Sequence, residues 1–252
     1  MGYYQTNAVY EELDRREVPN LVWATGSEWL LIYADSNFAI RALVNLREES
    51  GAKSSKRSDL ARAAARKIAE RGNVPWVTLE YQKGKQPLTE VEVTLQGESP
   101  QIVTMAKLRN IFSELGIPPV PGKAKPINSA TSNPYHDWQQ REFAGLKVSD
   151  LDLIRLNEGL TEAVEVIELK RSFIPLDSWS PYPDDYNNFE LVRKFVSPAE
   201  AKFTIAYNVR TKNPWKEHIE NMALFDYSAR HSTRIAKVSF NNFVDGSYLT
   251  HD

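Results

Sequence analysis

Alternation of apolar and polar residues predicts several strands along the chain. Between residues 202 and 210 apolar side chains occur at every second position, which is the period of a strand that buries one face. The apolar runs over residues 76–82 and 90–96 flank a Lys-Gly-Lys-Gln-Pro stretch that is typical of a turn. Further strands are predicted over residues 21–24, 28–33 and 234–240, with the first two forming a hairpin.

Apolar residues spaced three to four apart predict helices between these strands. Residues 37–49 carry one apolar face and follow Ser36, whose side chain can cap a helix. Pro214 suits a first helical turn, and apolar residues recur at helical spacing after it. The remaining predicted helices cover residues 59–72, 104–115, 135–144 and 189–196, with Asp59 as the cap of the first.

Residues 117–134 are rich in Pro, Gly, Ser and Asn, a composition that is typical of a linker. This stretch divides the chain into an N-terminal α+β region, residues 1–125, and a second region, residues 126–252. The N-terminal region is then a candidate for target recognition or dimerisation. The alternative is that the two regions interweave into one fold.

Composition narrows the chemistry that the chain can perform. None of its 252 residues is cysteine, which excludes disulfides and thiolate zinc sites, and its four histidines fall in no zinc-ligand spacing. The net charge of −2 means that any nucleic-acid surface must be a local patch. No signal-like or membrane-spanning apolar run is present, so we expect a cytoplasmic protein without a membrane partner.

The segment from Ser149 to Ser172 predicts a hairpin with charges in an apolar strand. Glu168 and Lys170 lie two residues apart and therefore share a face, whereas Glu165 points to the other face. Glu165 is expected to be structural or to support the other charges. Charges in a buried strand are costly unless they are paired or bind a metal.

The register of this hairpin decides which carboxylates meet. A loop centred on Leu160 makes Asp152 the direct partner of Glu168. A tighter turn at residues 158–159 would instead bring Asp152 nearer to Glu165. In the first register two carboxylates and Lys170 share one face. Two hard oxygen donors suit Mg²⁺, and a nearby lysine can orient a water molecule or stabilise a charged transition state.

The sequence Asp-Leu-Ile at 152–154, followed by Val-Ile-Glu-Leu-Lys-Arg-Ser at 166–172, resembles the PD-(D/E)xK nuclease superfamily. The resemblance implies an α/β fold in which helices flank a central mixed β-sheet, a restriction-endonuclease-like core within residues 126–252. It implies that Asp152 and Glu168 bind Mg²⁺, with Mn²⁺ tolerated, and that Lys170 is catalytic.

The chain departs from the pattern of this superfamily at two points. Leu151 stands where the superfamily usually has proline. Little room is left between Gly145 and Asp152 for the strand that should precede the aspartate strand. That strand is therefore either very short or comes from the N-terminal half.

Other residues could contribute to such a site. Asp150 and Glu142 are possible additional metal ligands, although Asp150 also suits a strand-end turn and Glu142 suits a solvated helix face. The aromatic loop with Trp179, Tyr182 and Tyr186 could stack bases or pack against the sheet. Basic residues that could contact a nucleic-acid backbone are Arg62, Arg66, Lys67, Arg171, Arg210, Lys212 and Lys216.

The resemblance favours a type II restriction endonuclease that cleaves double-stranded DNA as a homodimer and leaves 5′-phosphates. Two-fold symmetry would match a palindromic target. No P-loop is present, so no nucleotide cofactor is expected. Two alternatives stay open: a resolvase, repair or defence nuclease of the same superfamily, and a non-catalytic nucleic-acid-binding or interaction module in which the hairpin charges are structural.

Overall fold

The computed structural model describes residues 7–49, 55–82, 87–122 and 134–250. The helices are α1 (Ala8–Arg15), α2 (Lys56–Arg71), α3 (Met105–Glu114), α4 (Pro134–Glu142), α5 (Tyr186–Val196) and α6 (Phe240–Asp245). The strands are β1 (Leu21–Val22), β2 (Glu28–Ala34), β3 (Ile40–Glu49), β4 (Trp76–Gln82), β5 (Glu90–Leu95), β6 (Gln101–Thr104), β7 (Lys147–Asp150), β8 (Leu153–Leu156), β9 (Ala163–Ser172), β10 (Lys202–Lys212), β11 (Trp215–Ser228) and β12 (His231–Ser239).

These strands form two mixed sheets. The C-terminal sheet has the order β1-β8-β9-β10-β11-β12, and the N-terminal sheet has the order β6-β5-β4-β3-β2-β7. Each sheet contains one parallel pair, β9 with β10 and β3 with β4, and a helix connects the two strands of each pair. A parallel pair needs such a crossover, and α5 and α2 supply it. The predicted α/β class with helices flanking mixed sheet is therefore confirmed.

Three apolar cores hold the layers together. The central core lies between the sheets around α2 and α5 and includes Leu43, Val166, Phe189 and Ile205. The outer face of the N-terminal sheet packs against α3 and α4. The outer face of the C-terminal sheet packs against α1 and α6. The face of β9 that carries Val166 also carries Glu168 and Lys170, so these charges lie on the side of the central core.

Each sheet takes one strand from the other half of the chain. Strand β1 pairs with β8 in the C-terminal sheet, and β7 pairs with β2 in the N-terminal sheet. This exchange agrees with the interwoven alternative, while a division at residue 125 stays a prediction. Most of the predicted linker, residues 123–133, lies outside the described residues.

Three predicted elements are wrong. Residues 40–49 form strand β3 rather than a helix, because Leu43 faces the central core while Ala42 and Val44 face the outer core. A strand covered on both faces loses its alternation, and its apolar run then resembles a helix face. The helix predicted after Pro214 is wrong for the same reason, because these residues form strand β11, in which residues 222–225 are all buried. The predicted hairpin over residues 21–33 is also wrong, because β1 and β2 belong to different sheets.

The other predicted elements are confirmed within a few residues. Strands β4, β5, β10 and β12 and helices α3, α4 and α5 lie where the patterns place them. Helix α2 begins after Ser55, whose side chain accepts a hydrogen bond from the Ser58 N–H, so Ser55 and not Asp59 is the cap. No helix in the described ranges is both long and apolar enough to cross a membrane.

Candidate metal-binding site at the β8–β9 hairpin

The hairpin register brings Asp152 opposite Glu168. Leu153 pairs with Ile167 and Ile154 pairs with Val166, and one further step along both strands reaches Asp152 and Glu168. The loop is thus centred on Leu160, which confirms the first of the two predicted registers.

Asp152 is held in place by two hydrogen bonds. Its Oδ2 atom accepts one from the Leu169 N–H at 2.9 Å. Its backbone carbonyl accepts another from the Tyr10 hydroxyl at 3.0 Å, so helix α1 supports the site from the opposite end of the chain.

Lys170 lies between two carboxylates. Its Nζ atom is 3.0 Å from Oε1 of Glu168 and 3.5 Å from Oδ2 of Asp185. Asp185 directly precedes α5, and no feature of the sequence assigned it to the site. Acidic residues before a helix are common, so Asp184-Asp185 carried no distinctive signal. The predicted set of Asp152, Glu168 and Lys170 therefore comes together, and Asp185 joins it.

Burial makes this cluster electrostatically unfavourable in the absence of a cation. Asp152 is 5% exposed and Glu168 is 7% exposed. Burial raises the pKa of Asp152 well above its usual range, and the charges of Glu168 and Asp150 raise it further. Burial also raises the pKa of Glu168, although Lys170 opposes the rise. Burial acts to lower the pKa of Lys170, but Glu168 and Asp185 raise it above the normal value, so the ammonium stays charged.

One further charge acts on the cluster from the N-terminal sheet side. Asp150 ends β7, and its charge acts on both Asp152 and Glu168. Asp150 also acts on His136 of α4, whose pKa burial lowers. The site is therefore built where the chain leaves one sheet at Asp150 and enters the other at Leu153.

Glu165 lies on the other face of β9 and has a structural environment. Its Oε2 atom is 2.9 Å from Nε of Arg155 and accepts a hydrogen bond from the Tyr248 hydroxyl at 2.7 Å. Its Oε1 atom accepts from Thr204 at 2.5 Å. Arg155 also donates to the backbone carbonyls of residues 243 and 244, which fixes α6 to the sheet. Alternation therefore separates a structural glutamate from a site glutamate on the same strand.

No protein-family model matches the chain, and neither a curated protein nor a solved structure matches it. The geometry of the hairpin cluster therefore carries the functional argument.

The donor set fits Mg²⁺ with substrate present. In the part of the chain that the structure describes, no group of three or more His, Cys, Asp or Glu side chains is arranged to hold a metal ion. Mg²⁺ does not need such a cage, because it commonly binds one or two carboxylates and completes its shell with water and substrate phosphate. Asp152 and Glu168 would supply two carboxylates, and a cation there would offset the burial and the repulsion that raise their pKa values.

Glu142, a possible additional metal ligand, lies away from the cluster. Its carboxylate lies 3.4 Å from Nη1 of Arg109, on the side of the N-terminal sheet that packs against α3 and α4. Two rings of the aromatic loop, Trp179 and Tyr186, pack against the sheet, which was one of the two alternatives, whereas Tyr182 is 45% exposed. Trp179 stacks on Tyr207 with ring centroids 4.1 Å apart, and Tyr186 contacts Tyr227.

Most of the basic residues proposed for backbone contacts already have partners. Arg62 pairs with Glu28 at 2.6 Å, Arg66 pairs with Glu70 at 3.0 Å, and Lys67 donates to the Thr161 carbonyl at 2.9 Å. Arg171 forms a buried ion pair with Glu217, and Lys216 pairs with Glu220 at 3.2 Å. Arg210 and Lys212 instead lie beside exposed aromatic rings.

Proposed function

We propose that this protein is a Mg²⁺-dependent endonuclease of the PD-(D/E)xK type that hydrolyses phosphodiester bonds of DNA. The observation that carries the proposal is the buried pair Asp152 and Glu168, which meet across the hairpin beside the charged Lys170. Two carboxylates with raised pKa values on an otherwise apolar face are costly to folding, and such clusters are concentrated at functional sites.

Each residue of the cluster has its own role in the proposed hydrolysis. Asp152 and Glu168 would hold Mg²⁺, which acidifies a bound water and offsets charge on the phosphodiester. Lys170 is held at 3.0 Å from Glu168 and directed by Asp185, and its N–H groups can donate to the attacking water or to the charged phosphoryl oxygens. The Leu169 N–H orients Asp152, so the backbone of one motif strand positions the carboxylate of the other.

The strand order supports a restriction-endonuclease-like core. Along the chain, helix α1 and the two-residue strand β1 come before β8, and β1 pairs with β8 in the C-terminal sheet. Helix α5 connects the parallel strands β9 and β10. The resemblance implies a helix and a strand before the aspartate strand, and under this proposal α1 and β1 would be these elements. The strand for which the sequence leaves little room between Gly145 and Asp152 would then be very short and would also come from the N-terminal half.

Within this class we favour a type II restriction endonuclease that acts on double-stranded DNA as a homodimer and leaves 5′-phosphates. The N-terminal sheet would serve recognition or dimerisation. It contributes Asp150 to the surroundings of the cluster, so binding of a target could influence the catalytic carboxylates.

A cleavage assay tests the proposal. Plasmid DNA and a structured RNA are incubated with the protein in Mg²⁺, in Mn²⁺ and in EDTA. The variants Asp152→Asn, Glu168→Gln and Lys170→Met are compared with Glu158→Gln, which changes an exposed carboxylate in the loop of the same hairpin. We expect metal-dependent cleavage of DNA by the wild type and the control, and at least a roughly 100-fold loss in the three site variants.

Two results would contradict the proposal: cleavage that persists in EDTA, or a folded Glu168→Gln variant that cuts as fast as the wild type. A protein that cuts neither DNA nor RNA would favour the non-catalytic binding module. Discrete fragments support a restriction enzyme, whereas a smear supports a repair or degradative nuclease.

A further inference from the structure

An exposed group of aromatic and basic side chains lies where β9, β10 and β11 end or begin. Trp215 is 63% exposed and Phe173 is 41% exposed, and their rings meet edge to face with centroids 5.8 Å apart. Arg210 and Lys212 lie beside them. We refer to Phe173, Arg210, Lys212 and Trp215 as the aromatic–basic patch.

The cations of the patch lie over its rings. The guanidinium carbon of Arg210 is 4.9 Å from the Phe173 centroid and 5.5 Å from that of Trp215. Nζ of Lys212 is 4.8 Å from the Phe173 centroid. These contacts place positive charge and flat apolar surface side by side, which is the combination that binds the phosphates and bases of single-stranded nucleic acid.

The positive charge of the patch is not neutralised within the protein. Across the described ranges, no carboxylate forms an ion pair with Arg210 or Lys212, in contrast to Arg171 and Lys216. The Nε–H of Arg210 is buried and has no hydrogen-bond partner among the described atoms. A partner that brings negative charge therefore complements this surface.

The patch is near the proposed catalytic site along the chain but lies on the opposite face of the sheet. Phe173 is three residues beyond Lys170, a distance of about 10 Å along an extended chain. Tyr207 pairs with Lys170 across the parallel strands, so by alternation Arg210 and Lys212 point to the opposite face of the sheet. A strand that contacts both would pass around this end of the sheet.

We propose that the aromatic–basic patch binds an unpaired stretch of a nucleic-acid strand. Bases stack on Trp215 and Phe173, and phosphates contact Arg210 and Lys212. Unpaired bases are required because the faces of paired bases are already stacked within the duplex. The inference rests on the proposed function for its setting, since the patch would hold unpaired nucleotides next to the duplex that is cleaved.

Binding in EDTA tests this inference without any cleavage. Fluorescence anisotropy is measured with labelled single-stranded DNA, with the blunt duplex of the same sequence and with single-stranded RNA. We expect the wild type to bind the single strands more tightly than the duplex. Trp215→Ala should weaken single-strand binding by about 5- to 100-fold and change duplex binding little. Lys212→Gln should reduce the salt dependence of binding by about one phosphate contact.

Two variants serve as controls. Trp215→Phe keeps a ring and should retain most of the affinity, whereas Ile235→Ala removes an exposed apolar side chain of β12 and should leave binding unchanged. Unaltered single-strand affinity in Trp215→Ala, an equal loss for the duplex, or no binding of any oligonucleotide by the wild type would overturn the inference.

The outcome separates this inference from the proposed function. Asp152→Asn should bind single strands as the wild type does while losing cleavage. Binding that depends on Trp215 in a protein that never cuts would uphold the patch and contradict the nuclease. Metal-dependent cutting without binding that depends on Trp215 would uphold the nuclease and contradict the patch.

Discussion

Two glutamates on one strand should differ strongly in how much stability the same substitution costs. Glu165→Gln and Glu168→Gln each remove one buried negative charge three residues apart on β9 and preserve the side-chain shape. Glu165 is the carboxylate that compensates buried Arg155, whereas Glu168 belongs to a cluster with an excess of carboxylates.

The contacts set the size of each effect. In Glu165→Gln the guanidinium of Arg155 stays buried without its carboxylate, and breaking a buried ion pair costs about 3–5 kcal/mol. That is a large share of the roughly 5–15 kcal/mol that stabilises a typical protein. In Glu168→Gln the partly exposed Lys170 loses one ion pair, but burial and repulsion from Asp150 and Asp185 are relieved. The net change should stay within about 1 kcal/mol.

Urea unfolding without divalent metal, near neutral pH, measures both changes. With a slope of about 3 kcal/mol per molar urea, the Glu165→Gln midpoint should fall by about 1–1.7 M, and the Glu168→Gln midpoint by less than about 0.4 M. Equal losses in the two variants would refute the reasoning, because Glu168 would then be as structural as Glu165. Glu158→Gln, in the exposed loop, gives the baseline for a neutral substitution.

Three further predictions follow from the charge cluster. In thermal or urea unfolding, Mg²⁺ at about 100 times its dissociation constant should add about 2.7 kcal/mol to the wild type and nothing to Asp152→Asn. Burial raises the pKa values of Asp152 and Glu168, so above about pH 4 the metal-free folded state binds more protons than the unfolded state, and its unfolding free energy falls as pH rises. The urea midpoints at about pH 5.5 and pH 8 should therefore differ less in the Asp152→Asn/Glu168→Gln double variant than in the wild type. An unchanged difference would exclude these two carboxylates as the source of the pH dependence. Asp185→Asn should lower kcat with little change in KM, since Asp185 helps to position the Lys170 ammonium; an unchanged kcat would remove Asp185 from the site.

The local sequence pattern was enough to predict that Asp152, Glu168 and Lys170 could form one site. Alternation along β9 depends only on neighbouring residues, so it separated Glu168 and Lys170 from Glu165. Two registers stayed open from the sequence, a loop centred on Leu160 and a tighter turn at residues 158–159, and the structure has the one that pairs Asp152 with Glu168.

The rest of the site depends on contacts between distant parts of the chain. Asp150 reaches the cluster because β7 pairs with β2, and Tyr10 supports Asp152 because α1 packs on the C-terminal sheet. Neither contact can be predicted from the spacing of neighbouring residues in the sequence. The same cause explains β3, whose two buried faces arise from layers that the other half of the chain supplies.

Metal binding by Asp152 and Glu168 is the central claim, and Mn²⁺ titration followed by electron paramagnetic resonance tests it most directly. Free Mn²⁺ is counted with wild type, Asp152→Asn, Glu168→Gln and the Glu158→Gln control, each in the presence of a non-cleavable DNA analogue. We predict that the wild type and the control remove Mn²⁺ from solution and that both site variants lose this binding. Equal Mn²⁺ binding by all four proteins would contradict the account.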